Sequence, residues 1–274
     1  MKLLEIVKLL DGQPNATRRA LIIEHLDALG APYVAQPYAT GTNLVVDLGR
    51  LTRKIGVGSH FDRVPASAGA NDNGSAIAVA LDIIRKHQEA GQEAGSEAGV
   101  RVFFFDEEET GLKGSQAYVD KYGTKDLVGL LNMELVGMGD TFALWPVTAA
   151  HNGPLISAFE AVARRQQVRC NRFDQLVTNT ADHLPFHQAG LRDAFTITCI
   201  TDQDIAVAQR YFQALAQQAD RAALWEILAQ APLFRHYHQP TDTYEKLSEA
   251  ALARTSAAIW ETIVAAQYSG GSYQ

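Results

Sequence analysis

Cysteine is scarce in this chain: Cys170 and Cys199 are the only two in 274 residues. One optional bridge cannot hold a chain of this size together, so a disulfide scaffold is excluded and two buried thiols are the simpler reading. Basic clusters are missing as well. Lys and Arg number 24 against 31 Asp and Glu, for a net charge of −7. That balance offers no cationic groove for a nucleic acid and suits metal cations or free amines as partners. No apolar run approaches the roughly 20 residues needed to cross a bilayer. The opening Met1-Lys2-Leu3-Leu4-Glu5-Ile6-Val7-Lys8 spaces charges through apolar positions like an amphipathic helix and unlike a secretory leader. A cytoplasmic chain with no membrane partner is the expectation.

What is present is an alternation of strand-like and helix-like segments, long enough for one large α/β domain with a buried core. Apolar spacing predicts helices over Asn15–Leu29, with Asn15 as cap and Gly30 as stop, and over Ser75–His87, Gly114–Tyr122, Pro154–Gln166 and Glu249–Gln267. Strands are expected at Tyr33–Gln36, Asn43–Leu48, Lys54–Ser59, Val102–Phe105, Leu127–Met133, Phe142–Pro146 and Ala194–Ile200. Residues 89–99 read as a solvated loop and 269–274 as a disordered tail. Asp202–Gln230 reads as an inserted helical pair, serving as a lid, an oligomer face or packing, within a single domain over 1–268. The alternation argues for an α/β sheet, mixed or mainly parallel, whose sites collect at the carboxyl ends of strands.

Those strand ends carry the chemistry. Asp106-Glu107-Glu108-Glu109 follows the apolar run Val102–Phe105, and mutually repelling carboxylates there call for a bound cation. His60 ends another strand, and Asp62, two residues on, is placed to accept its second ring N–H. Asp72 stands in a Gly-rich loop before a helix, where an Asp is also an ordinary N-cap. Glu134 ends the apolar run Leu130-Leu131-Asn132-Met133, and His238 belongs to the pair His236/His238. Each signal alone is ordinary: a solvated acid or a surface histidine explains it.

Taken in order, His60-Phe61-Asp62, Asn71-Asp72-Asn73-Gly74, Glu108-Glu109-Thr110-Gly111-Leu112, Asn132-Met133-Glu134 and His238-Gln239-Pro240-Thr241-Asp242-Thr243 resemble the co-catalytic zinc aminopeptidase family. That group includes bacterial leucyl aminopeptidases, glutamate carboxypeptidase II and the glutaminyl cyclases. Asp182-His183-Leu184-Pro185-Phe186 also resembles a family segment. The resemblance implies a three-layer α/β/α sandwich around a mixed, mainly parallel sheet, and a zinc-dependent exopeptidase acting on a peptide or amino-acid derivative. It implies two zinc ions: His60 and Glu134 on one, Glu109 and His238 on the other, and Asp72 bridging them. Glu108 would be the general base, Asp62 would orient His60, and Asp106 and Glu107 would be scaffold. A cis peptide at Asp72–Asn73 is also implied. The family usually has Asp where this chain has Glu134, which carries the same head group on a longer stem. Cyclases usually have Trp before the last histidine, where this chain has Tyr237. Phe186, Leu191 and Trp145 are candidates for a side-chain pocket. Arg172, Arg192 and Arg235 are candidates for a substrate carboxylate, were the chain a carboxypeptidase or deacylase.

Overall fold

The computed structural model describes residues 2–50, 52–91, 99–148, 150–173 and 180–268. Its strands are β1 (Tyr33–Pro37), β2 (Thr42–Leu48), β3 (Lys54–His60), β4 (Val100–Phe105), β5 (Leu127–Met133), β6 (Thr141–Pro146), β7 (Cys170–Arg172) and β8 (Ala194–Ile200). Its helices are α1 (Leu3–Leu10), α2 (Asn15–Ala28), α3 (Ser75–Gly91), α4 (Lys113–Tyr122), α5 (Pro154–Arg165), α6 (His183–Gln188), α7 (Asp202–Ala216), α8 (Arg221–Leu228), α9 (Pro232–Arg235) and α10 (Glu249–Tyr268). The strands form one sheet in the order β1-β2-β4-β3-β5-β8-β6-β7. The centre, β4-β3-β5-β8, is parallel, whereas β1-β2, β2-β4 and β6-β8 pair antiparallel.

Both faces of the sheet are covered, and the period of two along β4 shows how. Val102 and Phe104 enter the large core shared with α1, α3, α5 and α10, while Phe103 and Phe105 enter a second core with Tyr118 of α4 and Phe186 of α6. The result is the α/β/α sandwich. Central α3 is buried almost all round, Ile77, Ala78, Val79, Ala80, Ile83 and Ile84 alike, because it lies between the sheet and neighbours α1 and α10. Its single apolar stripe in the sequence understates this.

Other departures are local. Pro14, not Asn15, occupies the N-cap of α2, and the Asn15 side chain instead accepts the Arg63 N–H at 3.2 Å. Strand β7 is too short to leave a periodic signal. α3 runs to Gly91, past the expected start of the loop at 89; residues 92–98 and 269–274 lie outside the described residues. Cys170 and Cys199 are both free and both level with Phe142, on strands either side of β6. Two strand spacings are about 9–10 Å, beyond the reach of a disulfide.

The parallel register positions the site. Strands β4, β3 and β5 are adjacent, with His60 level with Phe105 and Gly58 level with Asn132. Two residues further on, His60 comes level with Glu134, and the turn after Phe105 carries the acid run to the same edge.

Candidate active site

All seven residues singled out in the sequence come together at this edge. His60 Nε2 lies 3.2 Å from Glu134 Oε2, 3.3 Å from Asp72 Oδ1 and 3.8 Å from Glu108 Oε2. His238 Nε2 lies 2.9 Å from Glu109 Oε2 and 3.3 Å from Asp72 Oδ2. Asp72 therefore turns one oxygen to each histidine, and each histidine has a further carboxylate beside it. His236, the other member of the pair, faces away and contacts Thr241 Oγ1 at 2.9 Å.

The backbone around these groups is unusual where the side chains must diverge. The Asp72–Asn73 peptide is cis, and Glu107, Leu135 and His238 adopt the left-handed conformation. Glu107 at φ 57° breaks the acid run, so that its neighbours separate. Glu107 itself bonds Thr40 Oγ1 and pairs with Lys113 at 3.4 Å. Asp106 accepts the Thr42 N–H at 3.0 Å and the Glu107 N–H at 3.1 Å. These two acids hold the turn, while Glu108 and Glu109 reach the histidines.

Asp62 does more than face His60. Its Oδ1 lies 3.3 Å from His60 Nδ1 and accepts the Glu108 N–H at 3.0 Å, and its Oδ2 accepts the Glu109 N–H at 3.1 Å. Asp242 plays the matching part on the opposite side, accepting the Asn71 and Asp72 N–H groups at 2.9 and 3.0 Å. Glu134 Oε2 receives Asn73 Nδ2 at 2.8 Å, and Glu134 Oε1 receives Asn132 Nδ2 at 3.3 Å. Asn132 also donates to Thr196 Oγ1 at 3.0 Å, and Thr196 in turn contacts His183 Nδ1 at 2.8 Å. Behind the loops sits Arg18, fully buried, its Nε donating to Phe61 O at 2.7 Å and its Nη1 to Gly69 O at 2.9 Å. Asp242 stood inside a quoted sequence motif, but its amide contacts join residues about 170 apart. Arg18 gave no signal, since one arginine on a helix is ordinarily solvated.

The electrostatics are those of buried acids crowded around two histidines. Burial pushes the Glu108 carboxyl well above the usual range, against the pull of His60, and burial likewise raises Glu109 and Glu134. Burial alone would lower His60, but the charges of Glu134 and Glu108 and contacts to Asp62 and Asp72 raise it well above an ordinary histidine. Asp72 Oδ2, Glu109 Oε1 and His238 Nε2 are buried without any hydrogen bond. Two ligand atoms on one tetrahedral zinc, with bonds of about 2.0–2.1 Å, stand roughly 3.3 Å apart. The 3.2, 3.3 and 3.3 Å separations match that spacing, the His238–Glu109 pair is closer at 2.9 Å, and the N/O donor set suits zinc. The residues fit a divalent metal.

A cavity of about 460 Å³ opens on this edge, lined by Asp72, Glu108 and Glu134 and by side chains of α8 and the segment leading to His238. The apolar candidates named in the sequence do not line it. Phe186 and Leu191 belong to the second core, and Trp145 stacks on Phe173 and donates to Thr198 Oγ1 at 3.1 Å. Leu135, Leu224, Trp225, Leu228, Phe234 and Tyr237 take their place. Residues 202–230 gave no site-like cluster as sequence, yet Tyr211, Arg221, Leu224, Trp225 and Leu228 all face this cavity. Helical spacing concealed them, because a cavity wall and a packing face have the same period.

Comparison with known proteins agrees with this architecture. The sequence matches the profile of Peptidase family M28 over residues 43–263. The probable lipoprotein aminopeptidase LpqL of Mycobacterium tuberculosis is 26% identical over 209 residues, 74% of this chain and 40% of that protein. The aminopeptidase YwaD of Bacillus subtilis is 33% identical over 144 residues, 50% of this chain and 30% of that protein. The chain thus spans less than half the length of either. Among solved structures, BSAP, a zinc aminopeptidase from Bacillus subtilis, aligns with a TM-score of 0.63 at 22% identity, over 82% of this chain and 50% of its own. The glutaminyl cyclase of Porphyromonas gingivalis aligns with a TM-score of 0.72 at 18% identity, over 98% and 97%. Among the described residues no helix is long and apolar enough to cross a membrane. The family implies zinc, in keeping with the donor set, and the chain belongs to Peptidase family M28.

Proposed function

We propose that the chain is a zinc-dependent aminopeptidase that hydrolyses the N-terminal peptide bond of its substrate. One observation carries the reading: the two oxygens of Asp72 each lie 3.3 Å from a different histidine, and each histidine has its own further carboxylate. In this reading His60 and Glu134 would hold one ion, Glu109 and His238 would hold the second, and Asp72 would be shared between them. Two bound zinc ions would supply Lewis acidity for the scissile carbonyl and make water a nucleophile near neutral pH.

The chain's own residues do the rest. Glu108, which lines the cavity and stands farther from His60, at 3.8 Å, than Glu134 or Asp72 does, takes a proton from the attacking water and returns it to the departing amine. Asp62 fixes the His60 ring and, through the two backbone amides, the divergence of Glu108 from Glu109. We read residues 1–268 as one exopeptidase domain and the α7–α8 pair as an insertion that roofs the cavity.

Cyclisation of an N-terminal glutamine is the second reading, favoured by end-to-end alignment with a glutaminyl cyclase. Tyr237 before the last histidine and the two-sided donor set favour hydrolysis. Incubating the zinc-loaded chain with a leucyl anilide and with a Gln-initiated peptide separates the two. Anilide release with an uncyclised peptide is expected. A pyroglutamyl product without anilide release would overturn the proposal.

A further inference from the structure

The cavity lining combines acids with little exposure, Asp72, Glu108 and Glu134, with an exposed cation, Arg221, the one cation that lines it among the described residues. Arg221, Leu224, Trp225 and Leu228 stand at i, i+3, i+4 and i+7 on α8, so a single face of that helix forms this wall. Trp225 is 53% exposed, an unusual loss of apolar burial that its place on the cavity explains. The Arg221 side chain is exposed and makes no ion pair or hydrogen bond among the described residues.

The arginines picked from the sequence do not serve here. Arg172 is committed to Glu160 through two bonds of 2.5 and 2.7 Å, and Arg192 and Arg235 do not line the cavity.

We propose that the cavity takes substrates bearing a carboxylate on the side away from the reacting bond, and that Arg221 recognises it. This rests on the aminopeptidase reading and adds the substrate class. In the zinc-loaded site the ions offset the charge of the acids, so the exposed Arg221 is the lining group that draws the carboxylate while the reacting bond sits at the proposed metal ligands. The planar guanidinium matches a carboxylate with two parallel hydrogen bonds, and Tyr211, Trp225 and Phe234 supply aromatic surface for the rest of the substrate. About 460 Å³ lies within the range of small-ligand sites. The carboxylate is either the free C-terminus of a very short peptide or an acidic side chain, and one set of substrates tells them apart.

The test compares kcat/KM for leucyl-leucine against leucyl-leucine amide, and for a glutamyl anilide against a leucyl anilide. The carboxylate-bearing member of one pair is expected to be preferred about fivefold or more, mainly through KM, as a partly exposed charged pair allows. Arg221→Gln is expected to bring that ratio near one, Arg221→Lys to retain part of it, and Arg221→Glu to reverse it. Calorimetric binding of the same four compounds to zinc-loaded Glu108→Gln reads the preference without turnover. A chain that discriminates in binding but cleaves nothing would overturn the hydrolytic reading and keep the Arg221 assignment. A chain that cleaves or binds both members of each pair equally, or whose preference survives in Arg221→Gln, would overturn the Arg221 assignment alone.

Discussion

Asp62 Oδ1, which faces the His60 ring, also accepts the backbone N–H of Glu108 at 3.0 Å. One carboxylate thereby couples a proposed ligand on β3 to the proposed base after β4. Asp62→Asn can still accept through one atom but presents an NH₂ to the second amide, leaving a buried donor unpaired. Zinc affinity is expected to fall about 10–100-fold, as when other residues supporting a metal ligand are changed. Competition with a chromogenic chelator measures it, and an unchanged affinity would deny Asp62 this role.

Arg18 is the buried counterpart on the far side of the loops. Burial lowers its pKa to about 10, so it stays charged at neutral pH and joins Phe61, next to His60, to Gly69 in the loop before Asp72. Arg18→Met takes the partner from Phe61 O, leaves Gly69 O with only the Gly74 N–H at 3.1 Å, and removes a buried cation that acts on Asp72, Asp62 and Asp242. A loss of about 3–5 kcal/mol of stability is expected, as for other broken buried charges. Arg18→Lys, which keeps the charge but not the fork, should lose less. Urea unfolding of the three proteins checks the order.

Metal removal should be felt in the fold as well as in activity. The site crowds Glu108, Glu109, Glu134 and Asp72 around two histidines, and several of their atoms have no hydrogen bond. Zinc at 100 times its dissociation constant would add about 2.7 kcal/mol. For a chain of this size that amounts to a rise in Tm of roughly 5–10 °C over the chelated protein. Scanning fluorimetry with and without EDTA reads the difference.

His183 makes a pH prediction. Burial lowers its pKa to about 3, and its Nδ1 meets Thr196 Oγ1 at 2.8 Å. Below about pH 6.5 the unfolded chain binds a proton that the folded chain refuses, so stability falls as pH drops from 6.5 towards 3. The slope from this one group is up to about 1.4 kcal/mol per pH unit. Subtracting the stability–pH curve of His183→Gln from that of the parent isolates it. A flat difference between pH 6.5 and 5 would contradict the buried neutral imidazole.

How much of this was legible depended on the distance over which each signal acts. β8 and β5 were readable to the residue because mainly apolar runs such as Leu127–Met133 are bounded by polar neighbours, Asp126 and Glu134 here. His60, Glu108, Glu109 and Glu134 could be named because each closes or follows such a run and belongs to a recurring motif. Arg18, Asp242 and the Asn132–Thr196–His183 chain could not be given a role, since their partners lie far away in sequence. The cavity wall was missed for a different reason. Leu224, Trp225 and Leu228 keep a helical period whether they face a core or a substrate.

The most direct test of the two-metal hydrolytic centre is the turnover of a leucyl anilide by zinc-loaded Glu108→Gln. The substitution keeps the size of the side chain, removes the proton acceptor and leaves both proposed donor sets in place. Activity is expected to fall at least about 10²–10⁴-fold, the usual contribution of a general base, with zinc content unchanged. Full activity in Glu108→Gln at the same zinc content would contradict the account.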